Sequence, residues 1–185
     1  VISNMFEREY RAEFVPLQLE CLSEYSALIP GTLEAVAALR KRGVKIGSTT
    51  GYLTDMMKIN LADAKRQGYQ PDSTVCASDV PAGRPYPYMC LQNVMNLRCS
   101  AVQACVKVDD TIPGVEEGLN AGMWAVGLAV SGNEVGMVLE QWRALPENEK
   151  REKRERAHTR MRQCGAHYVV DTIADLMPCI DDIQA

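Results

Sequence analysis

The chain has 185 residues, of which 46% are hydrophobic and 24% charged, so it is long enough for one domain with a sizeable core. Its formal net charge of -4 argues against a protein that binds the nucleic-acid backbone, because such proteins carry a basic patch. The seven cysteines include no CxxC pair, and no apolar run approaches the roughly 20 residues of a membrane span. We therefore expect a cytoplasmic protein.

The first 28 residues have the spacing of helices. Apolar residues recur at helical intervals from about Ser3 to Leu28, and Pro16 is expected to break or kink this run. Pro30 and Gly31 then separate the segment from the next helix.

After residue 31 the sequence alternates between helices and short strands. Helices are predicted at 33–43, 53–67, 86–97, 113–122, 146–164 and from 172 onward. Five strands are predicted between them, at 44–50, 73–78, 104–110, 124–130 and 166–170. This alternation predicts an α/β protein with a parallel sheet that has helices on both faces.

Two further patterns favour ordinary structure over a binding site. The basic run at 150–160 contains Glu152 and Glu155 and is preceded by Glu147 and Glu149, which favours a solvated helix face over a nucleic-acid patch. Cys164 and His167 are three residues apart, but a zinc site needs about four ligands and no second cluster accompanies them.

In parallel sheets of this kind, ligands bind at the carboxyl ends of the strands. The polar residues predicted at those ends are therefore the candidates for a site. They lie at 48–52, 79–84, 109–111, 131–133 and 171.

Asp109 and Asp110 are the first candidates, at the end of the third strand. Adjacent carboxylates repel each other unless a cation or hydrogen-bond donors compensate, and carboxylate oxygens suit Mg²⁺. The structural alternative is that Asp110 caps the following helix, whose first turn contains Pro113. The position at a strand end, next to other polar groups, favours the metal.

Two more candidates follow the first and second strands. Thr50 and the backbone N–H of Gly51 could bind a phosphoryl oxygen before a helix, although Thr50 could equally cap that helix. Arg84 follows in a loop stiffened by prolines, where a guanidinium could donate two parallel hydrogen bonds to phosphate. The alternative for Arg84 is an ordinary surface position.

A hydroxyl, a cation and an acidic pair on three successive strand ends resemble the haloacid dehalogenase superfamily, whose members transfer phosphoryl groups through an aspartate. The segments KIGSTTGY, DVPAGRPYPYMC and NAGMWAVGL are similar to the phosphonoacetaldehyde hydrolases within it, from about residue 30 to the C-terminus. The resemblance implies a Rossmann-like core. It also implies that Thr50 and Arg84 are catalytic and bind the phosphoryl group with Gly51, and that Asp110 binds Mg²⁺ beside Asp109.

The same resemblance implies a reaction. These enzymes cleave phosphonoacetaldehyde to acetaldehyde and phosphate through a Schiff base on a lysine of a helical cap and an aspartyl-phosphate on a core aspartate. Both residues are expected N-terminal of Thr50, and no matching strand precedes it here. We therefore expect residues 1–28 to be the end of a cap and 29–185 to be the core without its first strand.

Three further expectations follow from that resemblance. A chain without the central strand would have two unpaired strand edges and would be inactive by itself, whereas the full-length family is expected to form homodimers. Some relatives have a further aspartate four positions after the one that matches Asp110. This chain has Gly114 there, so the metal site is expected to rely on the adjacent pair Asp109 and Asp110. The alternatives are another phosphatase of the superfamily and a non-catalytic binding protein.

Overall fold

The computed structural model of the chain describes residues 22–185. Within them the strands are β1 (Gly47–Thr50), β2 (Ser73–Cys76), β3 (Val106–Asp109), β4 (Trp124–Leu128) and β5 (Tyr168–Val170). The α-helices are α1 (Thr32–Lys41), α2 (Thr54–Arg66), α3 (Tyr88–Leu97), α4 (Ile112–Asn120), α5 (Leu139–Ala144), α6 (Glu147–Gln163) and α7 (Met177–Gln184). Short 3₁₀ turns lie at Leu22–Tyr25, Ala77–Asp79, Val102–Ala104 and Ile173–Asp175.

All the strand pairs in this part of the chain are parallel, and they fall into two groups. β1 pairs with β2, and β3, β4 and β5 form a second group in that order. Thr50 lies opposite Cys76, and Asp109 lies opposite Gly127. Within residues 22–185, β1 and β3 do not pair with each other, so each has an edge without a strand partner.

The alternating side chains of β4 bring helices against both faces of the sheet. Ala125 packs in one cluster with Val115 of α4 and Met161 of α6. Val126, the next residue, packs on the opposite face with Leu39 of α1 and with α7. Since burial of each large apolar side chain stabilises the fold by about 1.5–3 kcal/mol, these two clusters hold the helices on the sheet. The predicted α/β architecture with helices on both faces is confirmed.

The predicted elements differ from the structure mainly at their ends. The last helix begins at Met177 and not at Thr172, because the Thr172 side chain accepts a hydrogen bond from Ala174 N and caps a 3₁₀ turn first. The short helix α5 was not predicted. It follows the turn residues 131–136 and is only six residues long, too short for a helical period to be visible in the sequence.

Helix α6 contains the basic run, and the prediction of a solvated face is confirmed. Ala157 and Met161 are its buried residues, and most of its charged side chains are exposed. The Cys164 thiol donates to the Met161 carbonyl, while His167 Nδ1 accepts from Ala125 N, so each side chain is engaged by backbone.

The segment before α1 lies along α2. The Ser26 hydroxyl donates to Asp63 at 3.0 Å, and Leu28 N donates to Gln67 Oε1 at 3.0 Å. The helical pattern expected for residues 1–21 lies outside the described residues, and the expected boundary at residues 28–29 stays a prediction.

In the part of the chain that is described, no helix combines the length and the apolar character that crossing a membrane requires.

Candidate active site

Four charged side chains meet between β1, β3 and α4, and we call Arg84, Lys107, Asp109 and Glu117 the charge cluster. Lys107 and Asp109 alternate with apolar residues on β3 and therefore point to the same face of the sheet. Glu117 comes from α4, which packs against that face, and Arg84 enters from the loop between β2 and α3.

Each carboxylate of the charge cluster contacts both cations. Asp109 Oδ2 lies 3.2 Å from Lys107 Nζ and 3.3 Å from Arg84 Nη2. Glu117 Oε2 lies 2.8 Å from Lys107 Nζ and 3.4 Å from Arg84 Nε. Two positive and two negative charges therefore neutralise one another in a largely buried place.

Thr49 joins the charge cluster to β1. Its hydroxyl donates to Glu117 Oε2 at 3.2 Å, and Lys107 Nζ donates to the same hydroxyl oxygen. Arg84 Nη2 donates to the Thr49 carbonyl oxygen at 3.0 Å. The predicted phosphoryl ligand Arg84 is thus held at the end of β1, one residue before Thr50.

The environment of Asp109 keeps its carboxyl ionised. Burial would raise its pKa, but the ammonium of Lys107, the guanidinium of Arg84 and two hydrogen bonds from Thr111 together bring the pKa below the ordinary value of 3.8. The Thr111 hydroxyl donates to Asp109 Oδ1 at 2.8 Å, and Thr111 N donates to the same oxygen at 3.0 Å.

Asp110 has different surroundings from its neighbour. Its Oδ2 accepts a hydrogen bond from Asn133 N at 3.1 Å, in the loop that follows β4, and the residue is only half-buried. The interpretation of Asp110 as a helix cap is wrong, since Thr111 is the N-cap of α4 and accepts from Gly114 N at 3.0 Å. The Asp110 carboxylate is consequently available to a ligand.

The donor chemistry of Asp110 fits a magnesium ion. Mg²⁺ in phosphoryl-transfer sites is usually bound by one or two carboxylates together with water and phosphate oxygens. Asp110 supplies one such carboxylate, whereas Asp109 is engaged by two cations and Thr111. Within residues 22–185 there is no group of three or more His, Cys, Asp or Glu side chains that could hold a metal.

Thr50 is the last residue of β1, and Gly51 begins the turn that follows it. Thr50 Oγ1 accepts from Tyr52 N at 3.1 Å, which leaves the hydroxyl hydrogen free to be donated to a ligand oxygen. The alternative that Thr50 caps the next helix is wrong, because α2 begins after Leu53 and its N-terminus has no side-chain cap.

The loop after β2 is hydrogen-bonded to the first residue of α2. The hydroxyls of Thr54 and Ser78 are 2.9 Å apart, and Asp79 Oδ2 accepts from Cys76 N at 2.8 Å. Asp79, a candidate by its position, therefore stabilises this turn. The contacts fix the start of the loop that leads to Arg84.

The last two candidate positions form a support behind Asp110. The Asp171 carbonyl accepts from Val130 N at 2.9 Å and from Ser131 N at 3.1 Å, and so holds the beginning of the loop that contains Asn133. The Asp171 carboxylate is itself paired with Arg154 at 2.8 Å and with His158 at 2.7 Å, both from α6.

Sequence reasoning included Thr49 in the candidate range 48–52 without giving it a role of its own, and it missed Lys107 and Glu117. A sequence signal existed for both of them, because Lys107 interrupts an apolar strand and Glu117 lies on the apolar face of a helix. A charged residue at such a place is expected to have a buried partner. The partners themselves could not be deduced, since they come from three separate segments.

The fold and the site together define a Rossmann-like α/β protein with a hydroxyl, a guanidinium and carboxylates at the carboxyl ends of parallel strands. Comparison with protein families matches residues 4–122 to the haloacid dehalogenase-like hydrolases. The chain belongs to the haloacid dehalogenase-like hydrolase family.

Individual relatives agree with that assignment. The chain is 50% identical over 178 residues to a phosphonoacetaldehyde hydrolase of Hahella chejuensis, a match that covers 96% of this chain and 60% of the relative. It is also 50% identical over 175 residues to a phosphonoacetaldehyde hydrolase of Klebsiella pneumoniae, covering 94% and 65% of the two chains. The chain thus spans less than two thirds of the length of these relatives.

A solved structure gives the same result. The crystal structure of a phosphonoacetaldehyde hydrolase-like protein from Oleispira antarctica superposes with a TM-score of 0.94 at 47% identity. That superposition covers 97% of this chain and 65% of the other. The sequence resemblance to phosphonoacetaldehyde hydrolases is confirmed.

Proposed function

We propose that the protein containing this chain hydrolyses the carbon–phosphorus bond of phosphonoacetaldehyde, giving acetaldehyde and phosphate. The observation that carries the proposal is the 50% identity to proteins named phosphonoacetaldehyde hydrolase across nearly the whole chain. The position of Arg84 beside the end of β1 and the half-buried carboxylate of Asp110, which accepts from Asn133 N, support it further.

The difficulty of the reaction lies in its leaving group, because rupture of the carbon–phosphorus bond leaves an electron pair on carbon. In the proposed mechanism a lysine amine condenses with the aldehyde and releases water, and the resulting iminium accepts that pair as an enamine. An aspartate carboxylate attacks phosphorus while the bond breaks. Water then cleaves the aspartyl-phosphate, and protonation and hydrolysis of the enamine release acetaldehyde. Neither the lysine nor the nucleophilic aspartate of this mechanism is assigned to residues 22–185.

The described residues would bind and orient the phosphoryl group. The Thr50 hydroxyl and the Gly51 N–H would donate to its oxygens at the end of β1, and Arg84 would add a guanidinium from the next loop. Asp110 would hold Mg²⁺, which offsets the negative charge of the transferring group. Asp109 would act as the counter-ion of Arg84 at the edge of the site.

The test is release of acetaldehyde and phosphate from phosphonoacetaldehyde by the protein expressed from its complete reading frame. We expect equal amounts of the two products, and inactivation by borohydride only when the substrate is present. Hydrolysis of a sugar phosphate without cleavage of phosphonoacetaldehyde would replace the proposal with a phosphatase of the same family. Absence of both activities in a folded protein that binds phosphate would favour a binding protein.

Two variants test the role of Asp110. Asp110→Asn should abolish the dependence of phosphate binding on Mg²⁺, with little change in the melting temperature, because Asp110 is half-buried and an asparagine oxygen can still accept from Asn133 N. Asp55→Asn is a matched control, since Asp55 pairs with Lys58 on the exposed surface of α2. Mg²⁺ dependence that survives in Asp110→Asn would remove the metal role from this residue.

A further inference from the structure

Lys107 and Glu117 are buried charged residues to which the proposed reaction assigns no role. The Glu117 side chain is 0% exposed and that of Lys107 9% exposed. One oxygen of Glu117 and the Nε of Arg84 are buried without a hydrogen-bond partner. A buried ion pair of this kind contributes little to stability compared with apolar residues of similar size, so its presence calls for another explanation.

The two cations of the charge cluster differ in access to the site. Arg84 comes from a loop and its side chain is 22% exposed, whereas Lys107 extends from the middle of β3 and is enclosed. Both nevertheless contact the same two oxygens, Asp109 Oδ2 and Glu117 Oε2. Either cation alone could therefore remain with the carboxylates while the other one turns away.

An arginine that is paired with two buried carboxylates is a poor ligand for phosphate. If Arg84 were their only cation, its movement to a phosphoryl group would leave two negative charges buried without compensation. The ammonium of Lys107, 3.2 Å from one carboxylate and 2.8 Å from the other, removes most of that penalty. Thr49 assists, because its hydroxyl also donates to Glu117.

We propose that Lys107 is a positioning residue that compensates the negative charges of Asp109 and Glu117 when Arg84 moves away from them to bind a phosphoryl group. This inference rests on the proposed function, since it takes Arg84 as the phosphoryl ligand. Glu117 attracts Arg84 to the charge cluster, and Lys107 weakens that attraction because it pairs with the same carboxylate. The charge cluster thereby adjusts the affinity of the site for the phosphoryl group without contacting it.

The test is binding of inorganic phosphate, measured by titration calorimetry on the protein expressed from its complete reading frame. Lys107→Met should weaken phosphate binding at least about tenfold, because Arg84 is then held by two uncompensated carboxylates. Glu117→Gln should leave the affinity unchanged or raise it, although it alters a fully buried residue. Lys107→Met/Glu117→Gln restores the charge balance and should return the affinity to within about threefold of the parent.

The second measurement distinguishes positioning from general structural damage. In an Arg84→Gln background, Lys107→Met should cause no further loss of phosphate affinity, because it acts only through Arg84. Thermal unfolding of every variant identifies a protein that fails to fold. If Lys107→Met itself fails to fold, the charge-balanced double variant and Glu117→Gln still decide the question. The inference is overturned by a double variant that binds as weakly as Arg84→Gln, or by Glu117→Gln weakening phosphate binding tenfold.

The activity assay separates this inference from the proposed function. Phosphate affinities that follow the expected order without any release of acetaldehyde would support the role of Lys107 and contradict the proposed reaction. Release of acetaldehyde together with a phosphate affinity that Lys107→Met leaves unchanged would support the proposed reaction and contradict the role of Lys107. A parent protein that does not bind phosphate would overturn the role of Lys107, and the acetaldehyde assay alone would then decide the proposed function.

Discussion

The carboxylate of Asp109 occupies the space that a side chain at position 114 would need. A Cβ atom built on Gly114 would overlap the carboxylate group of Asp109. Gly118 stands in the same relation to Lys107, whose Cβ would lie 2.5 Å from the added atom. Two glycines four residues apart on α4 therefore leave room for two charged side chains two residues apart on β3.

The first prediction concerns Gly114. Glycine to alanine in a helix normally stabilises by about 0.5–1 kcal/mol, but Gly114→Ala should instead lower the free energy of unfolding by about 1–3 kcal/mol because it displaces Asp109. Gly83→Ala is the control, since an added Cβ there lies at an ordinary 3.4 Å from Ala77. Urea denaturation of both variants measures the difference. A Gly114→Ala protein as stable as the parent would show that this space is not restricted.

The second prediction exchanges the residues at positions 109 and 114. Gly114→Asp alone should be more damaging than Gly114→Ala, because it places a second carboxylate against Asp109. Asp109→Gly/Gly114→Asp should recover most of the lost stability, since the carboxylate then comes from α4 into the space beside Arg84 and Lys107. Melting temperatures of the three proteins provide the test, and a double variant no more stable than Gly114→Asp would contradict the exchange.

The third prediction concerns the stability of the fold at low pH. Because the pKa of Asp109 is lower in the folded protein than its ordinary value of 3.8, its ionised form stabilises the fold above that value. This stability is lost as the pH falls below about 4 and through the folded pKa. Asp109→Asn should therefore reduce stability at pH 7 and flatten the pH dependence of stability below about pH 4. Asp55→Asn, which removes an exposed ion pair, should leave the acid transition nearly unchanged.

The fourth prediction concerns Cys90 of α3. Burial raises the pKa of its thiol to about 12, and the residue is 3% exposed. Since the thiolate is the reactive form, a pKa three units above the ordinary 9 lowers its alkylation rate at pH 8 about a thousandfold. Mass spectrometry after brief treatment with iodoacetamide should find Cys90 unmodified and the less buried Cys99 modified. Equal labelling of the two in folded protein would contradict the structure around Cys90.

The amino-acid sequence by itself determined the order of helices and strands and the polar residues at the carboxyl ends of the strands. Strands and helices differ in hydrophobic period, and parallel strands collect their carboxyl ends at one edge. Thr50, Arg84 and the aspartate pair could therefore be chosen as candidates without coordinates. The family resemblance also depended on short sequence motifs alone, such as the loop that contains Arg84.

Only the tertiary structure decided what each candidate contacts. Asp109 and Asp110 are adjacent in the chain, yet one is paired with Arg84 and Lys107 and the other faces the loop of Asn133. Glu117 belongs to the site because α4 packs on β3, with glycines where the charged side chains pass. Such contacts depend on how separate segments pack in three dimensions, and the local periodicity of the sequence carries no record of them.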